Sequence, residues 1–158
     1  MQSTDLFALG QSPWKLTLEA DSQLDPTQLG KAASNERVFV LDGRNCRTAT
    51  GFLREIHAKA GFISEGCSWN ILNEGLHDLT WDRADAYLFV FTHADQLLVE
   101  EPRDWEKLWL IFDALFNSQK KQKHPVPRNV LFVVAPENER VLRRLFPPGL
   151  SPVFHTDS

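Results

Sequence analysis

Apolar residues in this chain fall into two kinds of stretch: short continuous runs, and longer segments in which they recur every three or four positions. Val38-Phe39-Val40-Leu41, Tyr87 to Phe91 and Val130 to Val134 are runs of the first kind. Such runs predict strands covered on both faces. The first of them ends at the turn residues Asp42-Gly43. Ahead of all three, Trp14 to Glu19 alternates apolar and polar side chains and predicts a half-buried strand.

The helical spacing appears three times. Ala49, Leu53, Ile56 and Ala60 predict a helix over Arg44 to Ala60, with Gly61 as its stop. Trp69, Leu72, Leu76 and Leu79 line one face of a second helix, which Gly75 weakens by up to about 1 kcal/mol relative to alanine. A loop around Ile63 to Cys67 leads into it. Pro102 opens the third, where Trp105, Leu108, Trp109, Phe112, Leu115 and Phe116 form the stripe. Lys120, Lys121 and Lys123 follow at its C-terminal end, where cations complement the helix dipole. Pro136 to Phe146 reads as a short basic helix, and Pro147-Pro148-Gly149 with Pro152 excludes regular helix from the tail.

The order strand, helix, helix, strand, helix, strand predicts an α/β fold with a small parallel sheet covered by helices and right-handed crossovers. Residues 1–35 read as an N-terminal extension carrying the Trp14 strand, 36–135 as the main domain and 136–158 as a C-terminal extension with a helical tail. A chain of 158 residues can bury a core that needs no disulfide or metal. Its two cysteines, Cys46 and Cys67, lack metal-type spacing and fit packed thiols in a reducing compartment. No signal peptide precedes Ser12 and no apolar stretch is long enough to span a membrane, so a cytoplasmic location is expected.

The net charge of −4 is mild, but its distribution is uneven. Phe62 to Trp105 holds nine acids against two bases, a net −7, and the remainder carries +3. An acidic middle repels nucleic acid and attracts basic protein surfaces, although a charge run is also an ordinary solvated face.

Motifs for catalysis are missing. There is no phosphate-binding glycine loop, no dinucleotide fingerprint and no Gly-x-Ser-x-Gly elbow. The histidines at 57, 77, 93, 124 and 155 include no pair at helical spacing for a metal. His77 and Asp78 are adjacent, and neighbours on a helix do not face each other. A Cys67–His77 nucleophilic pair has no spacing in its favour. No catalytic residue, metal ligand or cofactor is therefore expected.

Against this background Val38-Phe39-Val40-Leu41-Asp42-Gly43-Arg44-Asn45 and the ungapped stretch Gly66-Cys67-Ser68-Trp69-Asn70-Ile71-Leu72-Asn73-Glu74-Gly75-Leu76-His77-Asp78-Leu79-Thr80-Trp81 resemble the barstar family. The Ala86 to Phe91 strand and Asp104-Trp105 fit the same pattern, and the resemblance covers about residues 38 to 134. It implies a barstar-like domain with a three-stranded parallel sheet, whose members inhibit small ribonucleases by plugging the active site with the second helix and the loop before it.

The resemblance also implies a set of partner-binding residues: Glu65, Cys67, Ser68, Asn70, Asn73, Glu74, His77 and Asp78. Glu74 stands at the family's central aspartate and keeps the acid with one more methylene. Asn70 replaces a second functional aspartate, Ser68 an asparagine and Glu65 a loop aromatic, while Cys67 and Asn73 fall at variable positions. The charge lost at Asn70 points to a target whose active site differs from that of a guanine-specific ribonuclease. A carboxylate entering a nuclease active site imitates phosphate and forms charge-assisted hydrogen bonds with its cations.

Read alone, Glu74 is an ordinary exposed helix carboxylate, and Trp69 belongs to the core face. Asp78 is an acid at a helix C-terminus, where the dipole disfavours it. Trp81 and Trp105 suit either local packing or interface anchoring. The expectation is a non-enzymatic inhibitor or immunity protein, monomeric when free, for a basic protein toxin that is a nuclease. No nucleic-acid or membrane partner is expected. A binding module for a non-nuclease toxin and an unrecognised small enzyme are the alternatives.

Overall fold

Parallel pairing joins every strand of the computed structural model, which describes residues 6–9, 12–19, 35–61, 68–78, 83–145 and 153–154. The strands are β1 (Trp14–Leu18), β2 (Glu36–Asp42), β3 (Ala86–Thr92), β4 (Arg128–Val134) and β5 (Val153–Phe154). They form one sheet in the order β2-β3-β4-β1-β5. Phe39 pairs with Phe89, Phe89 with Val130, and Leu16 with Phe132, so the apolar runs lie side by side.

The chain steps from β2 to β3 to β4 in one direction across the sheet. Crossovers of one hand then place their helices on a single face. The helices are α1 (Ala49–Ala60), α2 (Trp69–His77), α3 (Trp105–Lys120) and the short α4 (Glu139–Arg143). Phe52 and Ile56, Leu72 and Leu76, Leu108 and Phe112, and Leu142 all enter one apolar cluster with Tyr87, Phe89, Phe91 and Phe132.

Two expectations are corrected. Among the described residues the sheet has four long strands and a two-residue edge strand, not three strands. The N-terminal strand β1 pairs with β4 along its whole length, and the tail beyond α4 returns as β5 beside β1. Nor is β1 half-buried: Lys15 and Thr17 are only 2% and 4% exposed. The reason is a second cluster on the opposite face, where Leu6 and Phe7 pack with Leu88, Val90, Leu131 and Val133. Asn129 fastens this N-terminal strap, its side-chain N–H donating to the carbonyls of Leu6 (2.9 Å) and Ala8 (2.7 Å).

The helix boundaries follow local chemistry. Thr48 caps α1 by accepting from the Gly51 N–H at 3.0 Å, and Gly61 ends it in the left-handed conformation at φ 72°. The stretch from Gly43 to Asn45 is a tight 3₁₀ turn rather than the start of α1, and Pro102 likewise opens a 3₁₀ turn ahead of α3. Gly43 lies against the backbone carbonyls of Thr92 and His93, leaving no room for a side chain. No helix among the described residues is long and apolar enough to cross a membrane.

Candidate partner-binding site on the second helix

Helix α2 begins where Ser68 turns its hydroxyl inward to accept from the Ile71 N–H at 3.1 Å. Leu72 and Leu76 are buried, and Trp69 stacks on Phe52 with ring centroids 5.4 Å apart. That inner face fixes which side chains look outward. Asn70, Asn73, Glu74 and His77 follow i, i+3, i+4 and i+7 and therefore share one outer face. Asn70, Glu74 and His77 are exposed there and Asn73 is half-buried.

Four of the expected residues are thus brought together, with Asp78 just beyond them as the exposed, extended residue that ends the helix. Ser68 belongs to the helix start, its hydroxyl occupied by the cap. Glu65, Cys67 and Trp81 lie outside the described residues. Trp105 resolves to packing, 2% exposed with its indole N–H donating to the Leu97 carbonyl at 3.1 Å.

Glu74 makes no ion pair or side-chain hydrogen bond among the described residues. Its carboxylate is available to an incoming cation. The His77 ring folds back on its own helix, Nδ1–H donating to the Asn73 carbonyl at 2.8 Å.

Arg128, which no local pattern marks, holds the C-terminal end of this helix. Its Nε–H donates to the Leu76 carbonyl at 2.8 Å, Nη2 to the His77 carbonyl at 3.3 Å and Nη1 to the Val126 carbonyl at 2.7 Å. A cation there satisfies carbonyls that a helix end leaves without donors and complements the dipole. Burial pushes the guanidinium pKa below its ordinary value, while the Tyr87 ring lies 5.9 Å away. Beside this clasp opens a cleft of about 520 Å³, lined by His77, Asp78, Arg83, Asp85 and Arg128 among others.

The acids of the middle segment do not all gather on α2. Glu100 pairs with Arg47 at 2.9 Å, Glu101 accepts from the Ala49 N–H at the start of α1, and Asp104 pairs with Lys107 at 3.2 Å. These carboxylates serve the protein's own loops and helix ends. At the other end of the strands, Asp42 accepts from the Arg44 backbone and side chain, which holds its carboxyl below the usual value. His93 Nδ1 lies 3.5 Å from Asp42 Oδ1. Nearby Cys46 is buried, and burial pushes its thiol up to about 12, so no thiolate forms there near neutrality. Among the described residues no group of three His, Cys, Asp or Glu side chains is placed to hold a metal.

No curated protein sequence matches this chain. A family model does, the one described as Barstar (barnase inhibitor), over residues 36–130. The match begins at the first residue of β2, contains α1, α2 and α3, and ends within β4. With more than half of the chain covered, and with the parallel sheet and exposed second helix described above, this protein belongs to the barstar family.

Proposed function

We propose that this protein is an inhibitor or immunity protein that binds a toxic nuclease, in the first instance a ribonuclease, and blocks its active site. The outer face of α2 and the loop before it form the blocking element. The observation that carries this reading is Glu74: an exposed carboxylate without a side-chain partner among the described residues, at the centre of the outward face of α2, inside the span matched by the family. A nuclease collects Arg, Lys and His to hold phosphate, and a carboxylate seated among them is steered in and bound by charge-assisted hydrogen bonds.

The test is co-expression with each toxin encoded beside its gene, followed by titration of this protein against the purified toxin and assay of that toxin on RNA and DNA. Rescue of growth and a one-to-one complex are expected. Glu74→Ala is expected to weaken the complex by roughly 2–5 kcal/mol, the range for removing one partner of a charge pair buried in an interface. Growth arrest in the presence of this protein would count against the reading.

One observation favours a second reading, a binding or immunity protein for a toxin that is not a nuclease. Asn70 and Ser68 are neutral, and the carboxylates of Glu100, Glu101 and Asp104 are engaged by the protein itself. The outer surface of α2 therefore offers fewer free acids than a strongly anionic substrate mimic. Assaying the captured partner on RNA and DNA separates the two readings.

A further inference from the structure

A groove of about 440 Å³ runs between α2 and α3, lined by Trp69, Asn70, Asn73, Lys107, Leu110 and Ala114, with Ile111 at its base. Asn70 and Asn73 belong at once to this groove and to the outer face of α2, so the two surfaces are continuous. Leu110 stands in its wall at 62% exposure, although Trp109 and Ile111 on either side of it are buried. Among the described residues nothing in the packing of α3 accounts for a large aliphatic side chain at that position. The charge is also distinctive. No carboxylate lines the groove among the described residues; its one ionic group is Lys107, whose ammonium lies 5.8 Å from the Trp69 ring centre and 3.2 Å from Asp104.

We propose that the partner places an uncharged, apolar side chain in this groove against Leu110 and Trp69, beside the basic patch that meets Glu74. This inference rests on the nuclease-binding reading and gives it a specificity determinant on α3. A basic side chain is matched at Glu74 but meets no carboxylate in the groove lining, where Lys107 is already paired with Asp104, whereas an apolar one loses water on both sides of the contact. Exposed apolar anchors of this kind discriminate between partners whose charged groups are alike.

The experiment titrates the purified nuclease identified by the co-expression test against wild-type protein and the variants Leu110→Asp, Leu110→Lys, Glu74→Ala and Val141→Asp. Val141 is another exposed aliphatic, on α4, and serves as the control. Both Leu110 variants are expected to bind at least tenfold more weakly with unchanged melting temperature, and Val141→Asp to bind like wild type. If wild type and Val141→Asp bind, Glu74→Ala is weakened and the Leu110 variants match wild type, the groove proposal alone is overturned. If wild type fails to bind, the nuclease reading falls and takes the proposal with it. Light scattering on the free protein closes the remaining option: a dimer that Leu110→Asp dissolves would assign the groove to a second copy and overturn the proposal.

Discussion

The indole Nε1–H of Trp14 donates to Asp113 Oδ1 at 2.9 Å, joining β1 to α3 across 99 positions of sequence. Trp14 is fully buried and packs edge-on against Trp109 with centroids 4.3 Å apart. Burial raises the Asp113 pKa above its ordinary 3.8, and the Trp14 bond opposes that rise only in part. A raised folded-state value means that the folded protein holds this proton more tightly than the unfolded chain. The associated stability is fully present below the unfolded pKa and is lost as pH rises through the folded one. Asp113→Asn keeps the acceptor and removes the charge. Its unfolding free energy relative to wild type is expected to improve as pH climbs from about 3 to 7, read by urea denaturation. A difference independent of pH would refute this. Asp113→Leu strands a buried N–H and is expected to cost about 1–3 kcal/mol.

Removing Arg128 releases the last turn of α2. Arg128→Met keeps the length of the side chain but leaves the Leu76, His77 and Val126 carbonyls without their donor. A loss of about 2–3 kcal/mol is expected from those unsatisfied groups. Amide hydrogen exchange should accelerate at His77 and Asp78 more than at Ile56 in α1. Uniform acceleration would mean that the clasp is merely one contribution to global stability.

The two faces of α2 are expected to respond oppositely to substitution. Leu76→Ala empties a fully buried site and should cost about 2–5 kcal/mol. Glu74→Gln, on the exposed side, should change unfolding free energy by no more than about 0.5 kcal/mol. Urea titrations of both variants check this, and a large loss at Glu74→Gln would give the carboxylate a structural role in place of an interfacial one.

Cys46 should resist alkylation in the native state. It is fully buried and its thiol is pushed up to about 12, so neither access nor thiolate is present at pH 8. Peptide-resolved mass spectrometry after iodoacetamide treatment should find Cys46 unmodified until denaturant is added. Rapid native labelling would show that the turn at Gly43 to Cys46 opens readily.

Much of this architecture is legible along the chain, and the illegible parts have physical causes. Tyr87–Phe91 and Val130–Val134 declare themselves because central parallel strands are apolar on both sides, whereas Val38–Leu41 reads the same way although β2 is an edge strand and, apart from Leu41, only half-buried there. The outer face of α2 is legible because Asn70, Asn73, Glu74 and His77 keep helical spacing opposite Leu72 and Leu76. In β1, by contrast, Lys15 and Thr17 imitate the polar side of a surface strand, and only the strap at Leu6 and Phe7 shows that this side is covered. Arg128 is invisible because its partners at Leu76 and His77 lie some fifty positions away. Counting acids between Phe62 and Trp105 cannot separate Glu74, which faces solvent, from Glu101, which caps α1.

The place of β1 in the sheet has a consequence for the order of assembly. Its only hydrogen-bonded neighbours among the described strands are β4 and β5, so β1 has none of these strands to dock on until the chain from Arg128 onward has been made. Contacts of such large sequence separation are slow to close. Until β4 has been made, Trp14 and Leu16 lack the sheet partners that cover them in the fold, the condition under which a growing chain exposes apolar surface.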